Sequence, residues 1–120
     1  VIVAGGITGD AEDTSFPDYG LTVNLNPSNA SGNSTNNDIV TFSANAYSTP
    51  SGATITQVWQ KWNGSAFANL TNSGAYSNTT TKALSVKANT ASNGEIYRLG
   101  FYATGATSKF TSNAVITITT

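Results

Sequence analysis

Apolar side chains recur at every second residue in short runs spread through this chain, and clusters of Pro, Gly, Asn and Ser separate the runs. In residues 21–26, 40–46 and 84–88 they alternate with Thr, Ser, Asn or Lys. A β-strand directs successive side chains to opposite faces, so this pattern predicts strands with one buried face. No window of eleven residues shows the apolar stripe of a helix, and the prediction is therefore an all-β fold.

Six or seven short strands follow from this pattern. Further alternating runs occupy residues 97–103 and 114–118, and turn-forming clusters lie at 48–52 and 89–94. Residues 55–62 are also predicted to form a strand, although bulky side chains occupy both of its faces. Residues 27–32 and the Asn-rich run behind them are predicted to form a long loop. Short strands separated by polar turns are typical of two antiparallel sheets that bury their inner faces against each other. The sequence therefore predicts an antiparallel β-sandwich of about seven strands.

Charged residues are few and unevenly placed. They make up 9% of the chain, against a usual share of roughly 25%, while 38% of the residues are hydrophobic, which is enough for a packed core. Four of the six acidic residues lie in the first twenty positions, at Asp10, Glu12, Asp13 and Asp18, and give this segment a charge of −4. The five cations together with Asp38 and Glu95 give the remainder +3. We therefore divide the chain into an arm, residues 1–20, and one sandwich domain, residues 21–120.

The arm is predicted to be extended and to anchor the domain to a protein partner. With four glycines and an acidic run, it cannot bury enough apolar surface to fold independently. It nevertheless carries six side chains suited to anchoring, namely Val1, Ile2, Val3, Ile7, Phe16 and Tyr19. Its acidic group lacks the ligand spacing of a calcium loop, so a solvated acidic segment is the preferred interpretation.

The sequence offers little chemistry for catalysis. It contains no His and no Cys, and the sandwich has only two carboxylates. A hydrolase or transferase needs a nucleophile with a base, paired carboxylates or a metal, so we expect no enzyme activity, no catalytic or metal site and no cofactor. The five cations are scattered, which argues against nucleic acid as a partner. No apolar run is long enough to insert into a membrane.

Three segments carry a resemblance to a known family. Residues 57–61 (QVWQK), 93–99 (NGEIYRL) and 111–118 (TSNAVITI) resemble the cysteine-free immunoglobulin-like modules of tailed-phage virion proteins, such as capsid decoration and tail proteins, and of bacterial surface proteins. The resemblance covers roughly residues 21–120. It implies an immunoglobulin-like sandwich, whereas a sandwich of fibronectin type III kind is the alternative.

The same resemblance assigns a core signature to four positions. It implies that Trp59 packs between the sheets and that Tyr97 forms a corner near the start of a late strand. The two positions that carry a disulfide in other members fall at Ala44 and Leu99, so this chain relies on packing there.

Two further sets of residues have alternative interpretations. Five asparagines head an Asn-x-Ser/Thr sequence and are candidate glycosylation sites in an exported protein: Asn29, Asn33, Asn63, Asn69 and Asn78. Four aromatic residues, Trp62, Phe67, Tyr76 and Tyr102, either cap the ends of the sandwich or form an exposed platform for weak binding of surface glycans or of a protein.

Two functional hypotheses follow. The first is a virion accessory protein, a capsid decoration or tail-surface module that its arm anchors to coat subunits, with the virion surface as its location. The alternative is an extracellular or cell-surface module, either an adhesin repeat or a filament subunit in which residues 1–3 complete the sheet of an identical neighbour. A carbohydrate-binding module of a secreted enzyme is a third class that rests only on the aromatic residues.

Overall fold

The computed structural model describes residues 18–120, and in this part of the chain all regular structure except one short 3₁₀-helix is β-strand. The strands are β1 (Gly20–Leu25), β2 (Ala30–Asn33), β3 (Ile39–Ser43), β4 (Asn45–Thr49), β5 (Thr56–Trp62), β6 (Phe67–Asn69), β7 (Tyr76–Ser77), β8 (Ala83–Lys87), β9 (Ile96–Tyr102), β10 (Lys109–Phe110) and β11 (Ala114–Thr119), with the 3₁₀-helix at Thr90–Ser92. The all-β prediction is confirmed.

The larger layer of the sandwich is one sheet in the order β2-β11-β9-β5-β6, with β10 paired to β9. Its pairs are antiparallel except for β2 and β11, which run parallel. At its centre β5 and β9 pair over six residues, with Trp59 opposite Leu99.

The second layer consists of two short sheets, which are linked because β3 and β4 follow each other directly in the chain. One pairs β1 with β4, and the other has the order β3-β8-β7. The chain passes directly from β3 to β4 through Ala44, whose amide donates to the Lys82 carbonyl at 2.9 Å. The first two strands lie in different layers, because β1 pairs with β4 and β2 pairs with β11.

Alternating side chains from both layers form the core. Its largest fully buried members include Trp59, Tyr97, Phe42 and Phe101, and the Phe42 and Tyr97 rings lie 5.3 Å apart. At the margin of the sandwich Gly32 of β2 lies so close to β3 that a Cβ atom there would be 2.5 Å from Val40 Cγ2.

The sequence located the long strands but not the short ones. The loop predicted after residue 27 contains β2, whose sequence Ala-Ser-Gly-Asn has no apolar alternation and which forms by pairing with β11. Strands β6, β7 and β10 have only two or three residues each, too few to show a period. The strand expected at residues 40–46 is divided at Ala44 into β3 and β4.

Candidate functional site

A group of aromatic side chains surrounds an arginine on the outer face of the larger layer, and we call this group the ring face. It consists of Trp62 on β5, Phe67 on β6, Arg98 and Tyr102 on β9, and Phe110 on β10. Because Trp59 and Leu99 point into the core, strand alternation directs Trp62 and Arg98 to the outside. The sheet pairs Trp62 with Phe67 and Phe110 with Gly100, which brings the five side chains to one surface.

Arg98 lies at the centre of the ring face. Its Cζ atom is 4.1 Å from the centroid of the Phe67 ring and 4.0 Å from that of Phe110, within the range of cation–π contacts. Its Nε donates to Gln60 Oε1 at 2.7 Å. The two terminal nitrogens have no hydrogen-bond or ion-pair partner among residues 18–120.

Two aromatic pairs extend this centre outward. Trp62 and Phe67 pack edge to face with their centroids 5.3 Å apart, and Tyr102 and Phe110 do so at 6.0 Å. Trp62 retains 39% of its surface in contact with solvent and Phe110 retains 40%. The rings therefore leave considerable apolar area available to a partner.

A buried amide beneath the rings holds the arginine in position. Gln60 is only 8% exposed, and its Nε2 donates to Asn69 Oδ1 at 2.9 Å. Because its Oε1 accepts from Arg98, the orientation of the amide is fixed on both sides. The guanidinium plane is thus fixed before any partner arrives.

Gly100 provides the space in which two of the rings lie. A Cβ atom at this position would be 2.6 Å from the Tyr102 hydroxyl and 3.0 Å from Phe110 Cε1. Any other residue would push the Tyr102 and Phe110 rings away from β9, so the flat surface over this strand depends on a glycine.

The ring face is suited to recognition. Partial burial lowers the pKa of the Arg98 guanidinium, which nevertheless stays protonated because arginine does not lose its proton in proteins. Its planar guanidinium can donate two parallel hydrogen bonds to the two oxygens of a carboxylate. The aromatic rings beside it provide apolar contact with the same partner.

A second polar group, the Glu95 cluster, lies at one end of the core between β5, β7 and β9. Glu95 accepts hydrogen bonds from Tyr76 at 2.7 Å, from Tyr97 at 2.9 Å and from Lys61 at 3.1 Å. The Tyr76 and Tyr97 hydroxyls are 3.2 Å apart. The cluster joins three strands and supplies three donors to one carboxylate, which indicates a structural role.

The pKa values in this cluster shift in the directions that such bonding requires. Burial alone raises the pKa of Glu95, but the hydrogen bonds from Tyr76, Tyr97 and Lys61 outweigh it, and the net pKa is lowered. Burial is also the main cause that raises the pKa of Tyr97. The hydrogen bond to Glu95 raises the pKa of Lys61. At neutral pH the cluster therefore contains an ionised Glu95 and a charged Lys61.

The four core-signature residues all lie in the core. Trp59, Tyr97 and Leu99 are fully buried and Ala44 is 2% exposed. The Trp59 indole donates to the Thr81 carbonyl at 2.8 Å. The Tyr97 hydroxyl donates to the Glu95 carboxylate at 2.9 Å, whereas the hydroxyl of a tyrosine corner bonds to the backbone.

The structure divides the four aromatic residues of the predicted platform. Trp62, Phe67 and Tyr102 lie together on the ring face, whereas Tyr76 belongs to the Glu95 cluster. The sequence interpretation missed Arg98 and Phe110. The outward direction of Arg98 could have been predicted, because a residue between the inward-facing Tyr97 and Leu99 must face outward.

The five candidate glycosylation asparagines are distributed over several loops and strand ends. Four of them are exposed, Asn29, Asn63, Asn69 and Asn78, and Asn33 is half-buried. Asn78 donates a hydrogen bond from its Nδ2 atom, the atom to which a glycan would be joined. In each of the remaining asparagines, including Asn33, the side-chain oxygen accepts a hydrogen bond.

Most of the anchoring residues predicted for the arm, Val1, Ile2, Val3, Ile7 and Phe16, lie outside the described residues. Tyr19 is the exception, and its amide donates to the Gly105 carbonyl at 2.9 Å. Gly20 already belongs to β1, opposite Thr49. The described chain therefore joins the sandwich beside the connection between β9 and β10.

Residues 18–120 bring together no group of three or more side chains suited to hold a metal ion. In the same part of the chain, no helix has the length and apolar character that crossing a membrane requires.

No protein-family model and no curated protein matches this sequence. Solved structures do match. A two-domain immunoglobulin module of the Drosophila receptor protein tyrosine phosphatase DLAR aligns with a TM-score of 0.62 at 12% identity, over 96% of this chain and 54% of that one. Titin domain M3 aligns at 0.58 and 16% identity, over 83% of this chain and 97% of that one. The first four immunoglobulin domains of Dscam1 align at 0.59 and 11% identity, over 97% and 28%.

These likenesses define the class of the fold. The chain spans about half of the DLAR module, which contains two immunoglobulin domains. The protein has an immunoglobulin-like β-sandwich fold. The sequence contains no cysteine, and Ala44 and Leu99, the two positions to which the resemblance assigns a disulfide, are both buried apolar residues.

Proposed function

We propose that this chain is a non-enzymatic structural or adhesive module that binds other proteins through the ring face. The observation that carries the proposal is Arg98, held against two phenylalanine rings with its terminal nitrogens directed away from the core. Aromatic residues and arginine are the residue types that dominate binding energy at protein interfaces. The absence of His and Cys from the sequence supports the non-enzymatic part of the proposal.

The test is a double substitution on the ring face, Trp62→Ala with Phe110→Ala. The control is Tyr47→Ala, which removes an aromatic ring of similar or greater exposure from the other layer. Binding is measured by co-sedimentation with purified capsids and by sedimentation velocity of the protein alone. We expect the double variant to bind at least about thirtyfold more weakly, because the loss of even one anchor residue costs about 2 kcal/mol and each 1.4 kcal/mol is a factor of ten. Equal loss in the control would refute the ring face as the binding surface.

We further propose a virion accessory role as the setting, in which the arm anchors the module to coat subunits and the sandwich projects outward. The acidic arm and the low charge of the sandwich support this setting. Many copies on a regular lattice would reinforce it by avidity, so that weak individual contacts hold firmly.

The alternative setting is an exported cell-surface module or filament subunit. The specific observation in its favour is that four of the five glycosylation sequences have an exposed asparagine. Intact mass of native material separates the two settings. Added mass in hexose units on peptides that contain Asn29, Asn63 or Asn69 supports export, and an unmodified mass together with structural genes of a phage beside its gene supports the virion.

A further inference from the structure

We infer that the partner of the ring face is the acidic N-terminal segment, residues 10–18, of a second copy of this chain, with Arg98 bound to one of its carboxylates. This inference rests on the proposed function, because it requires the ring face to be a protein-binding surface. It adds the identity of the partner and the manner in which copies join.

Charge complementarity is the first argument. Residues 1–20 carry −4 and the remainder of the chain carries +3. Three of the acidic residues, Asp10, Glu12 and Asp13, stand close together in the sequence. On the ring face Arg98 presents terminal nitrogens that no residue between 18 and 120 binds, and a carboxylate accepts two parallel hydrogen bonds from such a fork.

The apolar character of the segment fits the same surface. Phe16 follows Asp13 by three residues, a distance of about 10 Å in an extended chain. On β9, Arg98 and Tyr102 are four residues apart, or about 13 Å. A carboxylate at Arg98 therefore leaves an aromatic side chain within reach of the Tyr102 and Phe110 pair.

The direction of the chain at Tyr19 favours a neighbouring copy over the same molecule. Tyr19 forms a parallel bridge with Ala106, and its amide bonds to Gly105. Since the two segments run parallel, Asp18 lies on the side of Gly105, at the tip of the connection between β9 and β10. The described chain thus begins at the tip of this connection. A segment that covered the ring face of its own molecule would need a turn before Asp18, whereas the segment of a neighbouring copy would need none.

A joint of this kind is heterologous, because a segment on one copy meets a different surface on the next. Each copy then binds one neighbour through its acidic segment and another neighbour through its ring face. Such joints generate open chains of subunits unless the rotation between copies closes a ring.

The experiment measures self-association of the full chain by sedimentation velocity over a range of concentrations. Two variants carry the test, Arg98→Gln on the face and a triple substitution in the segment, Asp10→Asn, Glu12→Gln and Asp13→Asn. Lys87→Gln is the control, because it removes an exposed cation from β8 in the other layer. We expect either test variant to associate roughly ten- to a hundredfold more weakly than the wild type and the control to match the wild type. Thermal unfolding verifies that each variant is folded.

Mixing the two test variants is the decisive step. The Arg98→Gln chain keeps its acidic segment and the triple variant keeps its Arg98, so a mixture contains one competent joint and should form 1:1 dimers that do not grow further. A wild-type protein that stays monomeric, or a mixture without dimers, overturns the inference.

Its failure is distinguishable from that of the proposed function. If Trp62→Ala with Phe110→Ala weakens partner binding while Arg98→Gln leaves self-association unchanged, the ring face binds proteins but not the acidic segment. If neither change has an effect, both proposals are wrong.

Discussion

At the scale of single residues, two tryptophans three positions apart in β5 have opposite environments. Trp59 is fully buried and its indole donates to the Thr81 carbonyl, whereas Trp62 is 39% exposed at the rim of the ring face. Strand alternation is the cause, because an odd separation places the two side chains on opposite faces. One tryptophan therefore stabilises the fold and the other is available for binding.

Trp59→Ala should lower the free energy of unfolding by roughly 3 to 5 kcal/mol, since it removes a large buried ring and leaves a cavity between the layers. Trp62→Ala is the matched control, and we expect a loss of about 1 kcal/mol because this ring is partly exposed at the surface and leaves no cavity between the layers. Urea denaturation of both variants measures the difference. Similar losses would mean that Trp59 does not fill the core.

Glu95→Gln should change the pH dependence of stability. The pKa of Glu95 is lowered from its ordinary value of 4.5 in the folded protein, so its ionised form contributes stability above about pH 4.5 that is lost as the pH falls through the folded pKa. We expect the melting temperature of the variant to lie below that of the wild type at pH 7 and to decline less between pH 5 and pH 2. Asp18→Asn, at an exposed position, is the control. Parallel pH profiles for Glu95→Gln and wild type would contradict this.

At the scale of elements, the sequence identifies strands in proportion to their length and burial. The alternation that predicted residues 40–46 and 97–103 reflects burial of one face, and those runs became β3, β4 and β9. The edge strands β2 and β6 bury little, so no local pattern marks them. Their positions depend on the pairing partner, which is distant in the sequence.

The ring face was predictable to the same extent. Trp62, Phe67 and Tyr102 were among the four aromatic residues for which the sequence allowed two interpretations, caps on the ends of the sandwich or an exposed platform. Phe110 belongs to the surface only because β10 pairs with β9 and places it beside Gly100. The contacts of Arg98 with Phe67 and Phe110 join three strands, and no spacing in the sequence encodes them.

The close approach of β2 and β3 leads to a prediction about glycine. Gly32→Ala places a Cβ atom 2.5 Å from Val40 Cγ2, and Val40 is buried and stiff at χ1, so the two layers must separate. We expect a loss of about 1 to 3 kcal/mol, the usual cost of overpacking. Gly20→Ala serves as the comparison, because its Cβ would be no closer than 3.8 Å to the Thr49 carbonyl oxygen. Equal stability of the two variants in thermal unfolding would show that β2 does not close the margin of the sandwich.

At the scale of the whole molecule, the immunoglobulin-like sandwich separates stability from attachment. The core and the Glu95 cluster lie between the layers, while the ring face lies outside them. Tyr19 and Gly20, which the sequence assigned to the arm, pair with Gly105 and Thr49. Deletion of residues 1–17 therefore leaves every described pairing intact, and we expect the shortened protein to unfold cooperatively.

The same deletion is expected to abolish attachment, and this prediction bears most directly on function. Ordering an extended segment costs roughly 1 to 2 kcal/mol per residue in backbone entropy, so an arm of this length stays in place only where a partner supplies many contacts. Val1, Ile2 and Val3 provide apolar side chains for such contacts.

Co-sedimentation with capsids and assembly into filaments should both be lost in the shortened protein. A full-length variant with Ser at positions 1–3 preserves length and charge and should bind with intermediate strength, which separates the apolar contribution from the acidic one. If the shortened protein binds or assembles as well as the full chain, attachment runs through the sandwich itself and the arm is not the anchor.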